Sequence, residues 1–165
     1  MNASDSCSSQ APNSRPTIPP SPAARVAMVL IGLFALGASI AFYVQASVGA
    51  DPFTVLALGI SNRTGATVGV ATQLVGAGLL VLLLVADRSH IGIGTLLNAV
   101  LVGGSADIVL RFAPRPVSLV STVAMTAAAI LMMGVGVGLY VSGGLGEGAL
   151  EGVMLVLSDR LRIPV

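Results

Sequence analysis

Long uncharged apolar runs alternate with short polar breaks along this chain. Val26 to Ala50, Thr64 to Ala86 and Pro116 to Gly146 each lack a charged residue. All three exceed the ~20 residues that a helix needs to cross ~30 Å of hydrocarbon. Ile91 to Ala106 is shorter and reaches that length only if Asp107 sits near one end of the span. Arg111 follows Asp107 by one helical turn, in a favourable order for an ion pair, so Arg111 is expected to neutralise the acid in part. Four spans are therefore predicted, near 25–46, 66–86, 92–111 and 117–141. Tyr43 and Tyr140 fall near the ends of the first and last, where amphipathic rings favour the headgroup layer.

Two shorter helices accompany the spans. Asp51 suits an N-cap, Pro52 the first helical position and Gly65 a stop. The helix they bound, about 52–62, is roughly half a bilayer long. It either lies flat at the interface or dips in and returns. The second arrangement is tolerated only where the backbone is buried in protein or lines a cavity. A similar helix is predicted at about 148–160. The expected fold class is an all-α integral membrane protein: four transmembrane helices plus two short re-entrant or interfacial ones, across 23–165. Residues 1–22 are rich in Ser, Pro, Asn and Ala, and are expected to form a disordered cytoplasmic tail.

Composition agrees with a lipid-facing surface. Apolar residues make up 55% of the chain and charged residues 9%, against about 25% charged in an ordinary soluble domain. The eight basic residues are all arginines, scattered between apolar runs. That pattern excludes a clustered nucleic-acid footprint. A single cysteine, Cys7, rules out an internal disulfide and a Cys-based zinc cluster. With the N-terminus inside, Arg15, Arg25, Arg88, Arg160 and Arg162 are cytoplasmic, while Arg63, Arg111 and Arg115 are outside. The balance favours a cytoplasmic N-terminus.

An internal repeat emerges at a shift of 97 residues. It pairs Tyr43 with Tyr140, Gly49 with Gly146, Ser61 with Ser158 and Arg63 with Arg160, and upstream Gly37 with Gly134. Each copy has the same layout of long span, glycine-containing break and short apolar helix. Three spans separate the two starts, and an odd number reverses orientation, so the copies are expected to be inverted, the second being incomplete. Inverted repeats are common in secondary transporters, whose sites form at broken helices near the repeat interface. The alternative is an old duplication kept for packing, with the short helices lying on the membrane surface. Glycines at four-residue spacing, Gly134 with Gly138 and then Gly144, Gly148 and Gly152, are expected to let helices approach closely.

Little catalytic chemistry is visible. No nucleophile–base arrangement or phosphate loop stands out, and no enzyme activity or cofactor is expected. His90 reads as a solvated loop residue, and Gly92-x-Gly94 lacks the rest of a dinucleotide fingerprint. Polar groups at membrane depth carry more weight, because lipid penalises them unless they are paired or face a cavity. Gln73 and Asn98 are of this kind, and Asp107 lies near the end of the third span. Asp51, Ser61, Arg63, Glu147, Glu151, Ser158 and Arg160 flank the short helices. These ten are the candidate solute or gating residues. The alternative readings are interhelical hydrogen bonding for Gln73 and Asn98, and helix-dipole pairing for the acids.

Several motifs resemble those of the YczE/YyaS/YitT group of bacterial membrane proteins. They are Gly49-x-x-Pro52, the stretch Gly59 to Gly65, the stretch Gly92 to Ala99, Leu145-Gly146-x-Gly148 and Gly152 to Leu155. The resemblance covers most of 25–165 and implies multi-pass membrane residence without implying an activity. Two departures stand out. Ala149 and Glu151 occupy positions where the group usually carries proline and aspartate. The chain also ends at Val165, whereas the first repeat continues through two more spans, so a minimal or truncated form is expected. The leading expectation is a small-solute transporter or half-transporter. Its partners would be the lipid bilayer, an unidentified small solute, and a second copy or a missing half, with no nucleic acid. The alternative is a non-transporting scaffold or regulator of a partner protein.

Overall fold

The computed structural model describes residues 21–86 and 93–144, with side chains for 21–85 and 94–144. Those residues form five helices and no strand. They are α1 (Pro22–Ala46), α2 (Pro52–Thr64), α3 (Val68–Ala86), α4 (Ile93–Phe112) and α5 (Leu119–Gly143). α1, α3, α4 and α5 are each long and apolar enough to cross a membrane. Their large apolar side chains project outward as well as inward: Val85 is 83% exposed and Leu131 69% exposed. In water that surface would be strongly unfavourable, whereas lipid accepts it. The short helix expected at 148–160 lies outside the described residues, as does most of the tail expected over 1–22. Pro22 is already the first residue of α1, with Ser21 as its N-cap.

Glycine contacts set the helix directions. Gly32 on α1 faces the backbone of Gly136 and Tyr140 on α5, while Gly143 faces Val29 and Arg25. α1 and α5 therefore run antiparallel. Gly37 meets Val102, Ser105 and Ala106 on α4, and Gln45 reaches the Leu110 and Ala113 carbonyls, so α1 and α4 run parallel. Gly69 meets Gly103 and Asp107, and Gly76 meets Ala99; α3 runs antiparallel to α4. The helices are ordered α5, α1, α4, α3, α2, each packed on the next. Without a hydrophobic driving force between helices in lipid, close backbone approach of this kind carries the packing.

The glycines that make these contacts differ from the expected pairs. Gly134 and Gly138 face open space, whereas Gly136 and Gly143 touch α1. Spacing by four was present, but on the face of α5 turned away from the bundle. Tyr140 likewise turns inward. It is 2% exposed and belongs to the main buried cluster with Val29, Leu33, Ile40, Val102 and Ala106.

α1 and α5 match one another closely. Each has 25 residues, each follows a serine N-cap (Ser21, Ser118), and each ends in a left-handed residue (Ser47, Gly144). Every one of these features recurs at the shift of 97 residues read from the sequence.

α2 takes an unusual path. Its end, Thr64, is joined to the start of α3 through Gly65, Ala66 and Thr67. Its start lies beside Gly76 and Leu79 in the middle of α3. The two helices are thus antiparallel, packed through Ala57, Ala71 and Val75 with Phe53, Ile60 and Leu79 around them. Leu79 is about 16 Å along α3 from Val68 at 1.5 Å per residue. After α1 ends, Ser47 (φ 53°) and Gly49 (φ 146°) turn the chain back along the bundle to Asp51. The second angle is one that glycine adopts readily and other residues rarely do.

Candidate functional site

A cavity of about 120 Å³ is lined by residues from all five helices. α1 contributes Leu36, Ser39 and Ile40, and α5 contributes Met133 and Val137. Leu36 and Met133 are related by the shift of 97 residues, as are Ile40 and Val137. The wall is otherwise built from Phe53 and Thr54 of α2 with Asp51 before it, Gly76 and Leu79 of α3, and Asn98, Ala99 and Val102 of α4. The lining is mostly apolar, with four polar side chains.

Asp51 is held by its role at the start of α2. Its Oδ1 accepts from the Thr54 backbone N–H at 3.0 Å, and its Oδ2 from the Thr54 hydroxyl at 2.5 Å. Thr54 is fully buried, so both groups have fixed positions. Ser39 is also buried and donates to the Leu36 carbonyl at 2.7 Å. Asn98 is different. Its carboxamide, half-buried on the cavity wall, makes no hydrogen bond with any described residue. A polar group left so in an apolar bundle retains capacity to bind a guest or water.

The other expected site residues are placed apart from the cavity. Ser61 and Arg63 lie in the last turn of α2, where Ser61 donates to the Ala66 carbonyl at 2.7 Å and Arg63 is exposed. Gln73 donates to the Val100 carbonyl of α4 at 2.8 Å, tying α3 to α4. Glu147, Glu151, Ser158 and Arg160 lie outside the described residues.

Asp107 corrects an expectation. No ion pair with Arg111 forms among the described residues. The carboxylate instead reaches across to α3, accepting from the Thr67 hydroxyl at 2.5 Å and from the Gly69 backbone N–H at 2.8 Å. Thr67 itself accepts from the Val70 N–H at 3.2 Å. The acid is therefore compensated at the positive end of the α3 dipole, which satisfies donors that the first turn of a helix leaves free.

Three contributors escaped the sequence reading. Ser39 and Gln45 sit within the first uncharged run, and the signal that found Gln73, a polar residue at membrane depth, applies to them equally. Gln45 donates to carbonyls at the end of α4, those of Leu110 (3.5 Å) and of Ala113 just beyond it (3.2 Å). Thr54 stands three residues after an N-cap acid, a spacing suited to reciprocal capping.

An "Uncharacterized protein" of Haemophilus influenzae is 27% identical over 140 residues, covering 85% of this chain and 64% of that protein. The "Uncharacterized membrane protein YczE" of Bacillus subtilis is 26% identical over 130 residues, covering 78% of this chain and 60% of its own length. The chain thus spans about three fifths of these curated relatives. No solved structure matches it. All the cavity-lining residues fall within 23–165, the stretch matched by the model of the family of unknown function DUF6198, and the chain belongs to that family.

Proposed function

We propose that this membrane protein is a small-solute transporter, or half of one, and that the cavity between its five helices is the solute site. The carrying observation is the unpartnered Asn98 carboxamide on the wall of a cavity to which every described helix contributes. A cavity needed only for packing would be lined by apolar groups or by polar groups already satisfied.

The inverted-repeat reading supports this. Antiparallel α1 and α5 share length and caps at one sequence shift, and the related pairs Leu36 with Met133 and Ile40 with Val137 all line the cavity. In this reading the cavity lies at the repeat interface, and α2 is a re-entrant half-helix whose start reaches membrane depth. The antiparallel run of α2 along α3 favours that over a helix lying flat on the surface. The chain would reside in the bacterial cytoplasmic membrane with its N-terminus inside, completed by a second copy or by a partner supplying the missing half. No catalysis and no cofactor enter the reading.

Flux measurements in reconstituted vesicles test it. Asn98→Leu keeps the branched outline of four side-chain heavy atoms and breaks no hydrogen bond to a described residue, so the variant should reach the membrane at the normal level yet lose flux of the transported solute. Unchanged flux in this variant, or no flux of any solute across a broad panel with the unaltered chain, would count against transport. A stoichiometric protein partner co-purifying without solute dependence would favour a scaffold instead.

A further inference from the structure

We infer that the cavity selects a small organic cation over an anion of the same shape. This rests on reading the cavity as the solute site. Among the described residues that line it, Asp51 is the only charged one, with no arginine or histidine. Arg63, on the same helix, is exposed at the opposite end. The remaining polar groups are the Ser39 and Thr54 hydroxyls and the Asn98 carboxamide.

The start of α2 would by itself attract an anion, since the first turn of a helix carries about +0.5 charge. Here Asp51 already occupies that position with its own carboxylate, bonded to the Thr54 N–H and hydroxyl. A carboxylate of charge −1 against about +0.5 leaves the site negative by about half a charge. A second anion is repelled there, and a cation is attracted.

Donor and acceptor counts point the same way. The Ser39 hydroxyl proton is committed to the Leu36 carbonyl and the Thr54 hydroxyl proton to Asp51. Ser39 and Thr54 are moreover closed off, 1% and 0% exposed, so the acceptors open to a guest are the free lone pairs of Asp51 and the Asn98 oxygen. Only the Asn98 NH₂ remains to donate. A guest rich in N–H donors satisfies this lining, whereas a carboxylate or phosphate does not.

The rest of the wall, with Phe53, Leu79, Met133 and Val137, suits an apolar body. The volume of about 120 Å³ is several times the ~10–15 Å³ that a single water requires, which leaves room for a small organic guest. An alkylammonium ion with a short chain meets all three requirements.

The test compares three guests of similar size, propylammonium, propionamide and propionate, at ionic strength matched with sodium chloride. Binding to the purified full chain in lipid nanodiscs is followed by calorimetry. Propylammonium should bind about tenfold or more tighter than propionate, as expected for one nearby opposite charge in a partly screened site. Asp51→Asn keeps a strong N-cap residue, so α2 should persist while the preference falls to about twofold or less. Asn98→Leu should weaken propylammonium and propionamide together. If propionate or propionamide binds as tightly as propylammonium, cation selectivity fails while the solute cavity stands. If none of the three binds, both fail. Should Asp51→Asn not fold, the three-guest series on the unaltered chain still decides.

Discussion

The Asp107 carboxylate on α4 accepts the backbone N–H of Gly69 at 2.8 Å, so one span caps the start of another. A Cβ at position 69 would overlap that carboxylate and the Gly103 carbonyl oxygen. Gly69 thus permits the approach, and Asp107 uses it. The contact fixes where α3 begins, and α3 in turn carries the wall against which α2 runs back into the bundle.

Asp107→Ala removes both bonds to α3 and should lower stability by about 1–2 kcal/mol, the cost of a lost N-cap with charge-assisted bonding. Arg111→Ala should change it by less than about 0.5 kcal/mol, because the guanidinium is exposed and pairs with no described acid. Thermal unfolding in detergent distinguishes them. Equal losses in the two variants would reinstate the local ion pair.

Gly103→Ala should separate α3 from α4, since the added methyl would overlap the Gly69 carbonyl oxygen. Overpacking costs about 1–3 kcal/mol in close-packed cores. Gly138→Ala meets nothing within 4 Å and should be neutral or slightly stabilising in a helix. Melting temperatures that fall equally for both would mean that the open face of α5 is already covered.

Gln73→Leu and Gln45→Leu each remove hydrogen bonds from a side chain to the α4 backbone. Interhelical bonds in membrane proteins average about 0.6 kcal/mol, so each loss should be small. The two contacts lie on different helices, and the double variant should lose the sum of the single effects. A loss well above that sum would show that α4 is held as one unit from both sides.

The spans were legible because lipid imposes a length and an apolar composition that survive in any single sequence. Thus 25–46 became Pro22–Ala46, and 66–86 became Val68–Ala86. Asp51, Pro52 and Gly65 likewise marked α2 through local capping chemistry. What failed was long-range choice. Arg111 is a possible partner for Asp107 on any helix, but Thr67 and Gly69, about forty residues away, win it only because α3 and α4 pack. Gly134 and Gly138 have the spacing of a contact pair, yet which face meets α1 is decided by packing. The cavity was half legible: Asp51 and Asn98 were singled out, whereas Ser39 and Thr54 carry only local signals, depth and capping spacing, and nothing local says that five helices bring them together.

Paired single cysteines, in a Cys7→Ser background, test the cavity most directly. Asn98→Cys places a thiol on the cavity wall, and Val100→Cys places one at nearly the same depth on a face that is 62% exposed on the bundle surface. A thiol in lipid stays protonated and unreactive, while one in contact with water ionises and is labelled. In sealed vesicles a small water-soluble thiol reagent should modify position 98, propylammonium should slow that reaction, and position 100 should remain untouched. Silence at 98, or equal labelling at 98 and 100, would contradict a hydrated solute cavity inside a lipid-embedded bundle.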